Sequence, residues 1–315
     1  MLRSEKSKMR RVSFIIVAPS YNERVGGVLV LHKLCDLING LGHTAYIWRI
    51  NRWPFLRAAR GSGLVVSLLQ IFKNLIRATR GKSKFLLNPA LNTPLAKTQN
   101  LHGNVITIYP EIIDANPLYC KNIVRWFLYK PNFHSPKARY GTDELFFHYQ
   151  DVFLEGWLKE KESSKFSIVC PMTDIYKQTN FGSRQGSCHI IRKGKHKELN
   201  YHYRDSIKID DLSHAQMAKV FNQVEFCISY DMYTMLTSYA VLCGCKVIIV
   251  PEKGMTAEQW QPVERLRYGV AYGEENLPWA EKTKHLVIER LQRAEEQNID
   301  STKQFIERCI SHFNL

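Results

Sequence analysis

The sequence predicts an α/β chain of two domains, each a parallel sheet with helices on its faces. Three observations carry that prediction. The chain has 315 residues, a length that suggests two domains of ordinary size. It opens as a strand at 12–18, a polar loop at 19–24, Gly26-Gly27, a helix at 28–41 and a second strand at 43–50. Its second half holds an apolar, β-branched run at 224–230, a short helix-compatible stretch at 232–242, and the strand-like run KVIIV at 246–250, stopped by Pro251. The opening is that of a Rossmann-like domain, and the later pattern is a βαβ unit of a second one.

Each element has a local reason. The first helix shows apolar spacing at Val30, Leu31, Leu34 and Ile38, and it ends at Gly40 and Gly42. VITIY at 105–109 reads as a buried strand, with Pro110-Glu111 at its carboxyl end. NIVRWFLY at 122–129 fits a helix or a strand and stops at Lys130-Pro131. Residues 155–164 are polar and read as an interdomain linker, after which strands are expected at 165–170, 187–191 and 206–209. Gly244 sits where a helix ends in a left-handed glycine. A last strand is expected at 268–272, then helices at 280–297 and 301–313. The domains are therefore placed at 1–160 and 161–295, with a terminal helix, 296–315, in position to pack back on the first domain.

Charge narrows the partners. The net charge is +15 and the pI about 9.4, which favours an anionic partner. Residues 37–110 contain no Asp or Glu but hold ten Lys and Arg. Within the basic segment 52–84, residues 63–80 form an amphipathic helix pattern. Leu68, Leu69, Phe72 and Ile76 fall on one face, and Lys73, Arg77 and Arg80 on the other. Arg57, Arg60, Lys73, Arg77 and Arg80 are thus candidates for an anionic membrane surface. A core-facing helix with a solvated basic back is the other reading. Polar residues interrupt the stretch too often for a bilayer span. No RNA-recognition, zinc-finger or helix-turn-helix signature is present, so nucleic acid is not the expected partner. The basic amino terminus lacks a cleavage-site pattern and runs into a strand, and the eight scattered cysteines suit a reduced core. Both point to a cytoplasmic protein, peripheral on the inner face of a membrane. No metal-ligand spacing is evident, so neither metal nor cofactor is expected.

Candidate site residues gather at strand carboxyl ends, where parallel sheets bind ligands. Asp231 follows the strand at 224–230. Glu111 follows the strand at 105–109, as a base or acceptor-hydroxyl ligand, or else as a helix-start acid or a salt-bridge partner of Arg125. Gly26 and Gly27 allow a ligand close to the backbone at a helix amino terminus. RKGKHK at 192–197 is a basic turn at a strand end; Arg192 offers an anion a bidentate contact and Lys193 or Lys197 a point charge. An exposed basic hairpin is the plainer reading of that turn. Thr234 either caps the following helix or binds phosphate.

Two stretches resemble the retaining GT-B glycosyltransferases. GGVLVLHKLCDLINGLGHTAYI is similar to their opening, and YAVLCG at 239–244 stands where that family has E-A-x-x-C-G. The resemblance implies two Rossmann-like domains facing a central cleft. It also implies transfer of a sugar from a nucleoside-diphosphate donor to a glycan or lipid-linked acceptor, without metal and with retained configuration. A role in cell-surface polysaccharide or lipopolysaccharide synthesis follows by the same route. The family's two glutamates correspond here to Asp231 and Tyr239, so Asp231 would face the sugar and Tyr239 the nucleoside. That replacement leaves open a catalytically inactive assembly partner, and the basic face leaves open a nucleic-acid binder.

Overall fold

The computed structural model describes residues 12–50 and 85–315. Arg57, Arg60, Lys73, Arg77 and Arg80, with the amphipathic pattern that carries most of them, lie outside the described residues. The chain divides into two compact α/β units. One comprises residues 1–168 and 299–315, the other residues 169–298.

The first unit holds a parallel sheet of β1 (Ser13–Ala18), β2 (Thr44–Arg49), β3 (Val105–Pro110), β4 (Asn122–Phe127), β5 (Leu145–His148) and β6 (Ser163–Lys165). Among the described residues its order is β2-β1-β3-β4-β5-β6. β3 is buried along its whole length and β4 nearly so. That explains their continuous apolar runs, since a parallel strand covered on both faces has no polar side to alternate with. Helix α1 (Gly26–Gly40) lays Val30, Leu31, Leu34 and Ile38 into the core as the 3.6-residue spacing requires.

The expected strand at 165–170 forms only in part. Past Lys165 the carbonyls are taken by side chains: Trp126 Nε1 donates to Phe166 O at 3.0 Å and Tyr149 Oη to Ile168 O at 2.7 Å. The segment leaves the ladder after Lys165. The last helix of the chain packs on this unit. Its Phe305 stacks on Phe166 at 4.3 Å and touches Phe147 at 4.7 Å, contacts worth roughly 0.5–1.5 kcal/mol each beyond simple burial.

The second unit holds β7 (Ser187–Ile190), β8 (Ile207–Lys208), β9 (Phe226–Ser229), β10 (Lys246–Ile249) and β11 (Val270–Tyr272), parallel and ordered β11-β10-β9-β7-β8. Its helices are α2 (His214–Gln223), α3 (Leu236–Leu242), α4 (Ala257–Trp260), α5 (Leu277–Thr283) and α6 (Leu286–Glu296), followed by α7 (Asn298–Phe313), which carries Phe305. One sheet face and α2, α3 and α6 share a core that includes Cys188, Ile190, Phe221, Tyr239, Val247 and Val287. Asn298 closes the unit by binding both backbone groups of Val169, at 2.9 and 2.8 Å.

Both sheets share one topological feature. The chain steps from the first strand to one side (β1 to β2, β7 to β8), then crosses to the other side (β3, β9). The crevice at such a reversal, at the carboxyl ends of the two diverging strands, is where open α/β sheets hold ligands. No helix among the described residues is long and apolar enough to cross a membrane.

Candidate active site

In the second unit the reversal lies between β7 and β9. Beyond β7 the chain makes a tight turn, Arg192–Gly194, and beyond β9 it passes through Tyr230 and Asp231. The turn is held by Asp210, whose carboxylate accepts from Ile191 N at 3.0 Å and Arg192 N at 2.9 Å. The Arg192 guanidinium also lies 3.9 Å from Asp210. Arg192 has φ of +36°, in the left-handed region that costs a non-glycine residue about 1–2 kcal/mol. Two residues on, Gly194 lies so close to the β9 end that an added Cβ would stand 2.3 Å from Tyr230 O. Only glycine fits there, and the two strand ends meet backbone to backbone.

This contact places Lys193 over Asp231. Lys193 Nζ donates to Tyr233 O at 2.8 Å and lies 3.6 Å from Asp231 Oδ2. Asp231 is 1% exposed. Its Oδ1 accepts from Tyr233 N at 3.0 Å, whereas its buried Oδ2 has no hydrogen bond. A buried carboxylate oxygen in that condition favours the arrival of a donor such as a ligand hydroxyl.

Lys197 is set deeper. Its Nζ donates to Val250 O at 2.6 Å and lies 3.5 Å from Glu252, with the side chain 7% exposed against 24% for Lys193. Burial pushes the Lys197 ammonium below its ordinary range, and Glu252 partly restores it. His196 Nε2 bonds Glu252 at 3.0 Å, and this contact with the Lys197 charge holds the Glu252 carboxyl below the usual carboxylate range. The two lysines differ in depth. Lys193 stands beside Asp231, and Lys197 ties the turn to the end of β10.

Thr234 Oγ1 accepts from Leu236 N at 3.3 Å, a contact of the capping kind at the start of α3. Tyr239 departs from its expected place. It is 3% exposed, its ring stacks on Tyr176 at 4.2 Å, and its hydroxyl donates to Cys170 O at 2.6 Å. Both ring and hydroxyl serve the core, so a nucleoside contact is not built on it. Asp210, Gly194 and Glu252 were not singled out from sequence. Asp210 and Glu252 share the signal that marked Asp231, a carboxylate just past a strand, although Asp210 is followed directly by Asp211.

In the first unit the reversal lies between β1 and β3, and Glu111 stands at the end of β3. It is 5% exposed, and its Oε2 accepts from Leu128 N at 3.0 Å. It is not the partner of Arg125. That fully buried guanidinium forks onto Glu144 at 2.7 Å through Nε and Nη2, and gives further bonds to Ile113 O and Ala115 O. Gly26 and Gly27 open α1. A side chain at 26 would meet nothing within 4 Å, and one at 27 only Leu128 at 3.5 Å, so protein packing does not demand glycine at either. Among the described residues no three His, Cys, Asp or Glu side chains converge as a metal ion requires.

No family model and no curated protein matches the chain. Several solved structures are similar to it over nearly their whole length. One is an alpha-glucosyltransferase in complex with UDP, at 10% identity over 94% of this chain and 96% of that one, with a TM-score of 0.44. Another is sucrose-phosphate synthase from Thermosynechococcus elongatus, at 10% identity over 96% and 95%, TM-score 0.43. A third is a putative UDP-N-acetylglucosamine 2-epimerase from Listeria monocytogenes, at 9% identity over 97% of each chain, TM-score 0.38. At these TM-scores the likenesses decide nothing about activity.

Proposed function

We propose that this chain is a glycosyltransferase that moves a sugar from a nucleoside-diphosphate donor, with the diphosphate seated at the β7/β9 reversal. One observation carries the reading. A strained cationic turn, Arg192-Lys193, is held against a buried aspartate whose Oδ2 has no hydrogen bond, at the edge where parallel sheets take ligands. In this scheme Arg192 and Lys193 offset the charge that grows on the leaving diphosphate, and Asp231 Oδ2 accepts a donor-sugar hydroxyl. Lys197 and Asp210 keep the turn in place, and Thr234 borders the phosphates. Because the charges are fixed before the reaction, little reorganisation opposes bond cleavage.

The finer parts of the scheme rest on the sequence resemblance. Transfer is metal-independent and retains the anomeric configuration. Gly26 and Gly27 approach the donor phosphates, and Glu111 binds the acceptor hydroxyl. The acceptor is a glycan or a lipid-linked glycan of a cell-surface polysaccharide, met at an anionic membrane surface through the acid-free basic segment. Sedimentation with vesicles containing anionic lipid tests that last point. Failure to sediment, with no change on neutralising Arg77 and Arg80, would exclude it.

The donor site is tested by thermal unfolding of the full chain with UDP, GDP, dTDP, ADP and CMP. A ligand at 100 times its Kd stabilises by about 2.7 kcal/mol. That corresponds to roughly 5–10 °C for units of this size. A shift selective for one nucleotide, lost in Arg192→Ala and Asp231→Asn, is expected. No shift with any of the five would overturn the proposal.

A further inference from the structure

Arg290 is a half-buried cation with no counter-ion among the described residues. It lies on α6, on the side that buries Val287 and Leu291. Its Nη2 donates to Ser238 Oγ on α3 at 2.9 Å, and its Nε is buried with no hydrogen-bond partner. No Asp or Glu among the described residues lies within ion-pair distance of it. The charged neighbour it feels is Arg265, which is exposed and has the same sign. Other inward-turned arginines of this unit have a neutralising or accepting partner: Arg184 donates to Phe221 O, Asn180 O and Cys243 O, and Arg267, whose Nε is likewise buried without a hydrogen bond, pairs with Glu258.

An unpaired guanidinium removed from water is costly, and arginine cannot escape that cost by losing its proton at neutral pH. Burial and the Arg265 charge together lower Arg290 to about 10, still protonated under ordinary conditions. The donors around it have a common direction of use. Nε–H has no acceptor. Ser238 Oγ accepts from Nη2 and so keeps its own proton to give. Arg265 adds a second positive charge from the solvent side. A planar guanidinium beside a hydroxyl and a second cation suits a tetrahedral oxyanion with several acceptor atoms.

We propose that Arg290, Ser238 and Arg265 form an oxyanion subsite that takes a phosphoryl group. The subsite shares no residue with the Asp231 site and does not depend on the glycosyl-transfer reading. Its occupant is either a phosphate carried on a larger ligand or free phosphate, and the chemistry that recognises them is the same.

The test is thermal unfolding of the full chain against inorganic phosphate at constant ionic strength, with chloride and acetate as comparison anions. The wild-type melting temperature should rise saturably with phosphate and stay nearly flat with the other two. Arg290→Gln should weaken phosphate binding at least tenfold, yet unfold no earlier than wild type in phosphate-free buffer, because it removes an unpaired buried charge. That pairing of effects separates an anion site from a structural arginine, whose loss would destabilise the chain with or without phosphate. Arg192→Ala should keep the phosphate response, which keeps this proposal apart from the donor site. Arg265→Gln and Ser238→Ala supply the reading if Arg290→Gln does not fold, each with affinity lowered several-fold. Unchanged phosphate affinity in Arg290→Gln, or in both of the other two, overturns the proposal. So does a phosphate response lost only in Arg192→Ala.

Discussion

Gly194→Ala tests most directly how the site is built. A Cβ at this position would stand 2.3 Å from Tyr230 O and 2.4 Å from Tyr230 C. Relaxing the closer contact even to 3.0 Å requires a movement of about 0.7 Å (3.0 − 2.3). The obstacle is backbone, so no side-chain rotation relieves it. Overpacking of this kind costs about 1–3 kcal/mol. At roughly 2–4 °C per kcal/mol, the melting temperature should fall by about 2–12 °C. The functional effect should exceed the loss of stability. Tyr230 directly precedes Asp231 and Lys193 directly precedes Gly194, so the same movement draws Asp231 away from Lys193, now 3.6 Å from it. Displacements of about 1 Å in a positioned site cost on the order of 100-fold. The assay is thermal unfolding with and without the nucleotide that shifts the wild type. The expected result is a lower melting temperature with little or no nucleotide response. A variant that melts with the wild type and keeps the full response would refute the claim that the Gly194–Tyr230 approach positions the site.

Arg192→Gly should be at least as stable as wild type, because glycine occupies φ of +36° without strain, while its nucleotide response falls for want of the guanidinium. A clearly destabilised glycine variant would count against stored strain. Tyr239→Phe removes one hydrogen bond, to Cys170 O, and should cost about 0.5–1.5 kcal/mol with the nucleotide response unchanged; a lost response would return Tyr239 to the ligand. Burial holds His32, His148 and His189 below their ordinary 6.5, so the unfolded chain takes up protons first as pH falls. Their contribution to stability is complete above about 6.5 and declines below it, and urea midpoints that rise from pH 7.5 to pH 5 would contradict this. Glu111→Gln should keep the nucleotide response but slow sugar transfer at saturating donor by at least about tenfold, and an unchanged rate would remove Glu111 from the acceptor side.

What was legible in the sequence follows from burial. Strands β1, β3, β9 and β10 stand out as β-branched runs because parallel strands are covered on both faces. β5, with four residues, is too short to show a period, and β6 ends where the side chains of Trp126 and Tyr149 replace the ladder. Asp231 and the basic turn were visible because each follows a strand-like run. Their contact at 3.6 Å was not, since it depends on Gly194 meeting Tyr230, residues 36 positions apart (230 − 194). Asp210 was hidden for a related reason. It stands 18 residues beyond Arg192 and reaches that turn only because β8 pairs beside β7. The inward turn of Tyr239 is likewise set by Tyr176 and Cys170, more than 60 residues earlier in the chain.

The two reversals share a topology and differ in charge, and that difference bears on the division of labour. At the β1/β3 end Glu111, past β3, accepts from the Leu128 amide, and the loop past β1 carries Glu23 and Arg24. The buried Arg125 forks onto Glu144. At the β7/β9 end a cationic turn stands over an aspartate, with a second lysine and Glu252 beneath it. Charge at a sheet edge selects between anionic and neutral ligands. An edge with Arg192 and Lys193 suits the anionic one. Each end holds a buried carboxylate, Glu111 in one unit and Asp231 in the other. In the proposed transfer the strain at Arg192 lies on the side where negative charge is released.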